Sequence, residues 1–291
     1  MRRLSLLKYL SFASAAFVFC SCGILFGFLL YYGAPVIDAK LFFGSTRPAD
    51  ALFRLLPVWD GIWPAFTGTL CLLALTMLMA LVPGIGCGIF LARYATGRTK
   101  EFISLALDML ASVPSIVMGL FGFVMILMLR STFAPNATTC ISLAAFCLAL
   151  LVMPALVVTT RTSIESISAS VVLTGNALGF SESQLLRHLL LPSAGHGIMG
   201  GIMLSMGRAA EDTAVIMLTG VVVNSGLPAG LGAKFEALPF FIYYTAAQYT
   251  DHDELLRGFG AALVLLTLSA TLFAASWMLQ HIAEKRWKGI K

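Results

Sequence analysis

Six long apolar stretches, each bounded by polar or charged residues, divide this chain: 9–32, 65–93, 102–129, 140–160, 196–220 and 258–281. Each is long enough, at 1.5 Å per helical residue, to cross a hydrocarbon core of about 30 Å. Lipid-exposed backbone must satisfy its own hydrogen bonds, so the pattern predicts α-helical spans and an all-α polytopic membrane protein. Pro83, Gly84, Gly86 and Gly88 interrupt the second stretch, and Pro114, Gly119 and Gly122 the third. Such residues serve close helix packing as readily as a transport path. Residues 1–291 contain no long linker, internal repeat or low-complexity tract, so a single transmembrane domain is expected.

Composition agrees. Hydrophobic residues make up 59% of the chain and charged residues 11%, with a mean hydropathy of +0.91; soluble domains carry about 25% charged residues. The opening "MRRLSLLKYLSFASAAFVFCSC" has the basic start and apolar core of a signal peptide, but the apolar run continues to Tyr32, and Phe19 occupies the position before Cys20 where cleavage needs a small residue. It therefore reads as an uncleaved first span. The six cysteines lie in or near apolar runs without a C-x-x-C pair and read as packing residues.

The net charge of +5 would suggest nucleic acid in a soluble protein. Here its distribution decides against that. Arg2, Arg3 and Lys8 precede the first span; Arg93, Arg98 and Lys100 join the second to the third; Arg161 and Arg187 lie between the fourth and fifth; Lys285, Arg286, Lys288 and Lys291 follow the sixth. The other connections are mixed or acidic, as in "TDHDE" at 250–254. Basic loops stay in the cytoplasm, which predicts a multi-pass plasma-membrane protein with both termini inside.

That topology makes 161–195 a cytoplasmic segment, too polar to span and too patterned for a slack loop. Ile164, Ile167, Val171, Ala177 and Leu178 recur at helical spacing until Gly179 interrupts them, and Ser181 can cap a second short helix, "ESQLLRHLLL", ending before Pro192. Two short helices meeting at a glycine form a knob suited to a partner's groove.

The segment resembles the cytoplasmic signature of ABC importer permeases: E-A-A, three residues, Gly, nine residues, I-x-L-P. Gly179 is the glycine, "ALG" at 177–179 is typical, and Leu189, Leu191 and Pro192 fill the end; Leu173, Thr174 and Gly175 stand at E-A-A, so the acid is missing. "LASVPSIVMGLFGF" (110–123), "GRAAEDTAVIMLTG" (207–220) and "EALPFFIYYTAAQY" (236–249) further resemble phosphate-uptake permeases of the PstA type. The resemblance implies the type I ABC importer permease fold of a bacterial inner membrane. It makes Ala177, Leu178, Gly179, Leu189, Leu191 and Pro192 the coupling surface for an ATPase. It also implies a PstC-type second permease subunit, a dimeric cytoplasmic ATPase that alone uses ATP, an extracytoplasmic phosphate-binding protein, and no cofactor on this chain.

Arg208, Glu211 and Asp212 stand in the middle of the fifth stretch. Each costs about 2.5–3.5 kcal/mol at a span centre on insertion scales. The spacing turns Arg208 toward Glu211 at i+3 and Asp212 at i+4. An ion pair between helices is one reading and a polar translocation path the other. An arginine fork matches phosphate oxygens, and a nearby carboxylate can accept the proton of a protonated phosphate, an option sulfate lacks. The family pattern R-A-x-G-E-T has Glu at position 212 and Gly at 211, so Glu211 is extra and leaves another oxyanion open. Asp108 reads as a helix cap, an interhelix hydrogen bond or a transport residue, and Arg130 as an interfacial anchor rather than an anion funnel. His188 and His196 lack a metal-ligand pattern. The chain has no H-E-x-x-H, G-x-S-x-G or G-x-x-x-x-G-K-[ST] sequence, so neither a membrane hydrolase nor an autonomous ATPase is indicated. A secondary transporter, the other alternative, favours internal repeats and needs no docking knob.

Overall fold

A computed structural model describes residues 2–53, 58–132 and 134–287. Lys288 and Lys291 of the C-terminal basic cluster lie outside the described residues. The described chain is almost wholly helical: α1 (Arg2–Gly33), α2 (Ala39–Phe43), α3 (Pro48–Phe53), α4 (Trp63–Arg93), α5 (Gly97–Ser112), α6 (Ser115–Thr132), α7 (Ile141–Glu165), α8 (Ala169–Ala177), α9 (Glu182–Leu185), a π-turn over Leu186–Leu190, α10 (Leu191–Glu211), α11 (Ala214–Thr219), α12 (Leu238–Gln248) and α13 (His252–Trp287). Six helical stretches are long and apolar enough to span a membrane.

The centre is α7, buried along its length by α4 on one side and α10 on the other. The registers follow from small residues. A Cβ on Gly84 would lie 3.0 Å from Leu156 Cβ, and one on Gly88 2.5 Å from Thr160 Cβ, so α4 and α7 run in the same direction. A Cβ on Gly197 or Gly201 would overlap Ser163 Oγ or Thr159 Oγ1, so α10 runs against them. Both hydroxyls donate back to carbonyls of their own helix, Ser163 to Thr159 O and Thr159 to Ala155 O. Lipid supplies little hydrophobic drive between helices, so close approach over glycine holds this layer together. Gly201→Val is therefore expected to destabilise the protein by about 1–3 kcal/mol. Gly200→Ala, where a Cβ meets nothing within 4 Å, should be neutral or stabilising. Thermal unfolding of both purified variants in detergent checks this, and equal melting temperatures would refute the packing argument.

Of the expected breaks, one is absent and one divides its span completely. The second span is not interrupted: α4 continues through Pro83, as α7 continues through Pro154. The third span, expected as one helix over 102–129, is two. Val113 is extended at φ −68°, ψ 123°, and Pro114 separates α5 from α6. Proline removes one hydrogen bond and disfavours helical backbone before it. Helix α4 is splinted across that defect by extensive packing on α7, whereas α5 has no buried residue and both α5 and α6 touch α7 only sparingly. The fifth span has a break that the hydropathy pattern hides, at Asp212–Thr213 between α10 and α11.

The fold gathers the ends of α4 and α7, the start of α5 and the α8–α9 knob at one end of the bundle, with Arg93, Lys100 and Arg161 among them. Lys100 and Arg161 both pair with Glu165, at 2.8 and 3.1 Å, and Arg161 also donates to Ser104 Oγ. At the far end the chain from 220 to 237 crosses the start of α7. Carbonyls of Thr219, Ala233 and Leu231 accept the N–H groups of Cys140, Ile141 and Ser142, satisfying donors that a helix start leaves open.

Candidate functional site

The mid-bundle charges come first. Ala209 and Ala210 pack against Val152 and Ala149 near the middle of α7, which sets Arg208 at the mid-height of the bundle. Arg208 and Glu211 are exposed on the bundle surface, and Asp212 is half-buried. The three do not form the tight cluster that the spacing allows: among the described residues no ion pair within 4 Å joins Arg208 to either acid. The helix ends at Glu211, so Asp212 leaves the face that an unbroken helix would give it. Its Oδ1 instead accepts the Val215 N–H at 2.8 Å, capping α11. Ser115 and Arg208 both lie near the Asp212 carboxylate.

Ser115 belongs to the V-P-S-I-V sequence, which thereby acquires a structural meaning. The break before α6 and the break before α11 lie side by side, with Ser115 near Asp212. Further along, a Cβ on Gly119 would lie 2.9 Å from Ala214 O, and one on Gly122 2.7 Å from Thr219 Cγ2. The two glycines let α11 sit directly on α6. No sequence signal other than the motif resemblance pointed to Ser115.

The knob is the second feature. Helix α8 ends in a Schellman motif: Gly179 N–H bonds Asn176 O and Phe180 N–H bonds Gly175 O, with Gly179 at φ +77°. Ser181 caps α9 through a capping box with Gln184, as its position predicted. The helix does not stop before Pro192. It passes through the π-turn into α10, with Pro192 directly after the turn, where the altered hydrogen-bond register accommodates its missing N–H. The expected docking residues then divide. Ala177, Leu178 and Gly179 are exposed, Leu178 at 69%. Leu189, Leu191 and Pro192 are half-buried. Leu189 turns inward, with its Cδ1 2.7 Å from where a Cβ on Gly175 would stand. Leu173, at the position of the missing acid, is exposed at 66% and joins the apolar tip. Glu182 pairs with Arg93 at 3.1 Å and ties the knob to the end of α4.

Of the remaining singled-out residues, Asp108 and Arg130 lie apart from both features. Asp108 is exposed on α5. Arg130 donates from Nε to Ala137 O near the far end. His188 Nδ1 lies 3.0 Å from Gln184 O on the knob. One residue that the sequence reading passed over is Glu236, 7% exposed, whose Oε1 accepts the N–H groups of Ser225 and Gly226 at 2.8 and 2.9 Å. Burial raises its carboxyl above the ordinary glutamate range, and the two amide donors act in the opposite sense.

Comparison with known proteins agrees with this architecture. Residues 84–288 match the family "Binding-protein-dependent transport system inner membrane component". The chain is 30% identical over 257 residues to the phosphate transport system permease protein PstA 1 of Mycobacterium tuberculosis (strain CDC 1551 / Oshkosh), covering 86% of this chain and 82% of the relative. It is 29% identical over 260 residues to PstA of Haemophilus influenzae, covering 88% and 86%. An inward-facing structure of the MetNI methionine ABC transporter has the same fold, with a TM-score of 0.57 at 16% identity over 82% of this chain and 99% of that one. A chain with these six spans, this knob and this match over most of its length belongs to the family of binding-protein-dependent transport system inner membrane components, as a permease of the PstA type.

Proposed function

We propose that the chain is one half of the translocation path of an ATP-driven importer of inorganic phosphate, non-catalytic in itself and bound to no cofactor. A PstC-type permease supplies the other half, a dimeric ATPase takes the knob, and an extracytoplasmic phosphate-binding protein delivers the anion at the far end. The knob end is cytoplasmic in this reading, as the Lys and Arg bias requires. The observation that carries the anion reading is Arg208. A guanidinium exposed at mid-height, with no ion pair among the described residues, is expensive beside lipid. It is reasonable where a second subunit encloses a polar cavity against it, and its planar fork suits a tetrahedral oxyanion. PstA naming of the relatives supports phosphate over other oxyanions. The docking knob and the match to an importer family favour ATP-driven uptake over a secondary transporter.

Purification from detergent-solubilised membranes followed by mass spectrometry tests the assembly. An ATPase and a second permease are expected to co-purify in comparable amounts, and uptake should disappear when the ATPase is removed. Uptake that persists without any ATPase would overturn the reading in favour of secondary transport.

A further inference from the structure

From the contacts of the far-end segment we infer that Glu236 is a positioning residue for the transport path, its carboxylate latching the 220–237 loop so that α11, and with it the Asp212 carboxylate near Arg208, keeps its place. The inference rests on the proposed path through Arg208.

The need for a latch follows from α11 itself. It has six residues, spanning about 9 Å, far below the length at which a helix stands alone. Its start is fixed by the Asp212 cap and its side by Gly119 and Gly122. Its end runs straight into Gly220 and the loop. The loop returns on itself: Val222 N–H bonds Phe235 O at 3.0 Å, Phe235 N–H bonds Gly220 O, and Phe235 is fully buried. The outgoing and returning strands are thus joined immediately after α11. The turn between them includes Asn224 at φ +55° and Gly226 at φ +71°, left-handed backbone that asparagine and glycine adopt readily. Its link to the rest of the chain is Glu236 Oε1, which holds two consecutive amides. Glu236 is anchored in turn, because Leu238 N–H bonds Thr69 Oγ1 and Gly68 leaves room for Glu236 O against α4. A contiguous line therefore runs from α4 through Glu236, the Ser225–Gly226 turn and the Val222–Phe235 pair to α11 and Asp212.

The carboxylate works here as an acceptor of two N–H groups and has no ion pair among the described residues. A glutamine can do the same with its amide oxygen, and an alanine cannot. This separates the latch from a requirement for charge. Glu236→Ala and Glu236→Gln should be compared with wild type in the assembled transporter, at matched abundance. Hydrogen exchange read on peptides covering 220–235 is expected to speed up about tenfold or more in the Ala variant and to stay near wild type in Gln. Binding-protein-dependent phosphate uptake should fall about 3- to 30-fold in Ala and hold in Gln, with the amount of bound ATPase unchanged. Unaltered exchange in Glu236→Ala overturns the latch. Faster exchange with normal uptake overturns its role in the path. Equal loss in Ala and Gln overturns the acceptor argument. Exchange needs no substrate, so a wrong choice of anion appears separately, as a wild-type complex that takes up no phosphate while the exchange contrast persists.

Discussion

Arg208→Gln is expected to reduce phosphate uptake by about 100-fold or more, while the protein inserts and assembles at normal abundance. Glutamine has nearly the helix propensity of arginine, and among the described residues Arg208 makes no ion pair. What the substitution removes is the charge and the guanidinium fork. A hydrogen bond to a charged group contributes about 1.5–3 kcal/mol, so loss of a bidentate contact to an anion in transit reaches the predicted size. Asp212 behaves differently because it already has a task. Asp212→Asn keeps an oxygen for the Val215 N–H and should weaken uptake modestly. Asp212→Ala loses the cap of α11, a change of about 1 kcal/mol, and should lose more. Exchanging the charges between positions 208 and 212 cannot restore function, since an arginine at 212 cannot accept the Val215 N–H. Uptake assays at matched membrane abundance decide. Near-wild-type transport by Arg208→Gln removes this residue from the path and leaves the choice of anion resting on the relatives alone.

Gly179→Arg is expected to leave the permease in the membrane but to separate ATP hydrolysis from transport. Gly179 stands at φ +77°, and a side chain there projects into open space rather than into the chain. Left-handed backbone costs about 1–2 kcal/mol for a residue with a Cβ, too little to unfold a protein of this size. The larger effect lies outside the chain. The new side chain stands beside Leu178, 69% exposed at the apolar tip, and would place a charge in the groove that receives it. Burying that charge without a partner is strongly unfavourable, so the ATPase either dissociates or hydrolyses ATP unproductively. Gly179→Asn, which tolerates the left-handed region, should retain most activity. ATPase activity and uptake measured on the same purified complex separate the outcomes. Normal coupling in Gly179→Arg would mean that this tip does not enter the ATPase.

Much of this protein is determined locally and was readable from residue order. Hydropathy found all six spans, because the requirement to satisfy backbone in lipid acts on each segment by itself, but the helix breaks displace the third and fifth from their expected bounds. The α8 terminus and the α9 cap were equally legible, since a glycine at C′ and a Ser with Gln three residues on act through neighbouring amides. Tertiary structure decided the rest. Pro83, Pro114 and Pro154 look alike in sequence, yet of the three only Pro114 breaks a helix, because the extensive packing of α4 on α7 splints the other two while α5 and α6 touch α7 only sparingly. The i+4 spacing of Arg208 and Asp212 suggested a pair, but a second break redirects Asp212 to cap α11 and leaves Arg208 facing outward. Leu189 matched the docking motif, yet it packs beneath Gly175 inside the knob. Glu236 carried no local signal, because its partners lie ten and eleven residues away across a turn. Propensity and hydropathy describe what a segment prefers alone, whereas the breaks, the caps and the orientation of each charge depend on which neighbours supply the missing hydrogen bonds.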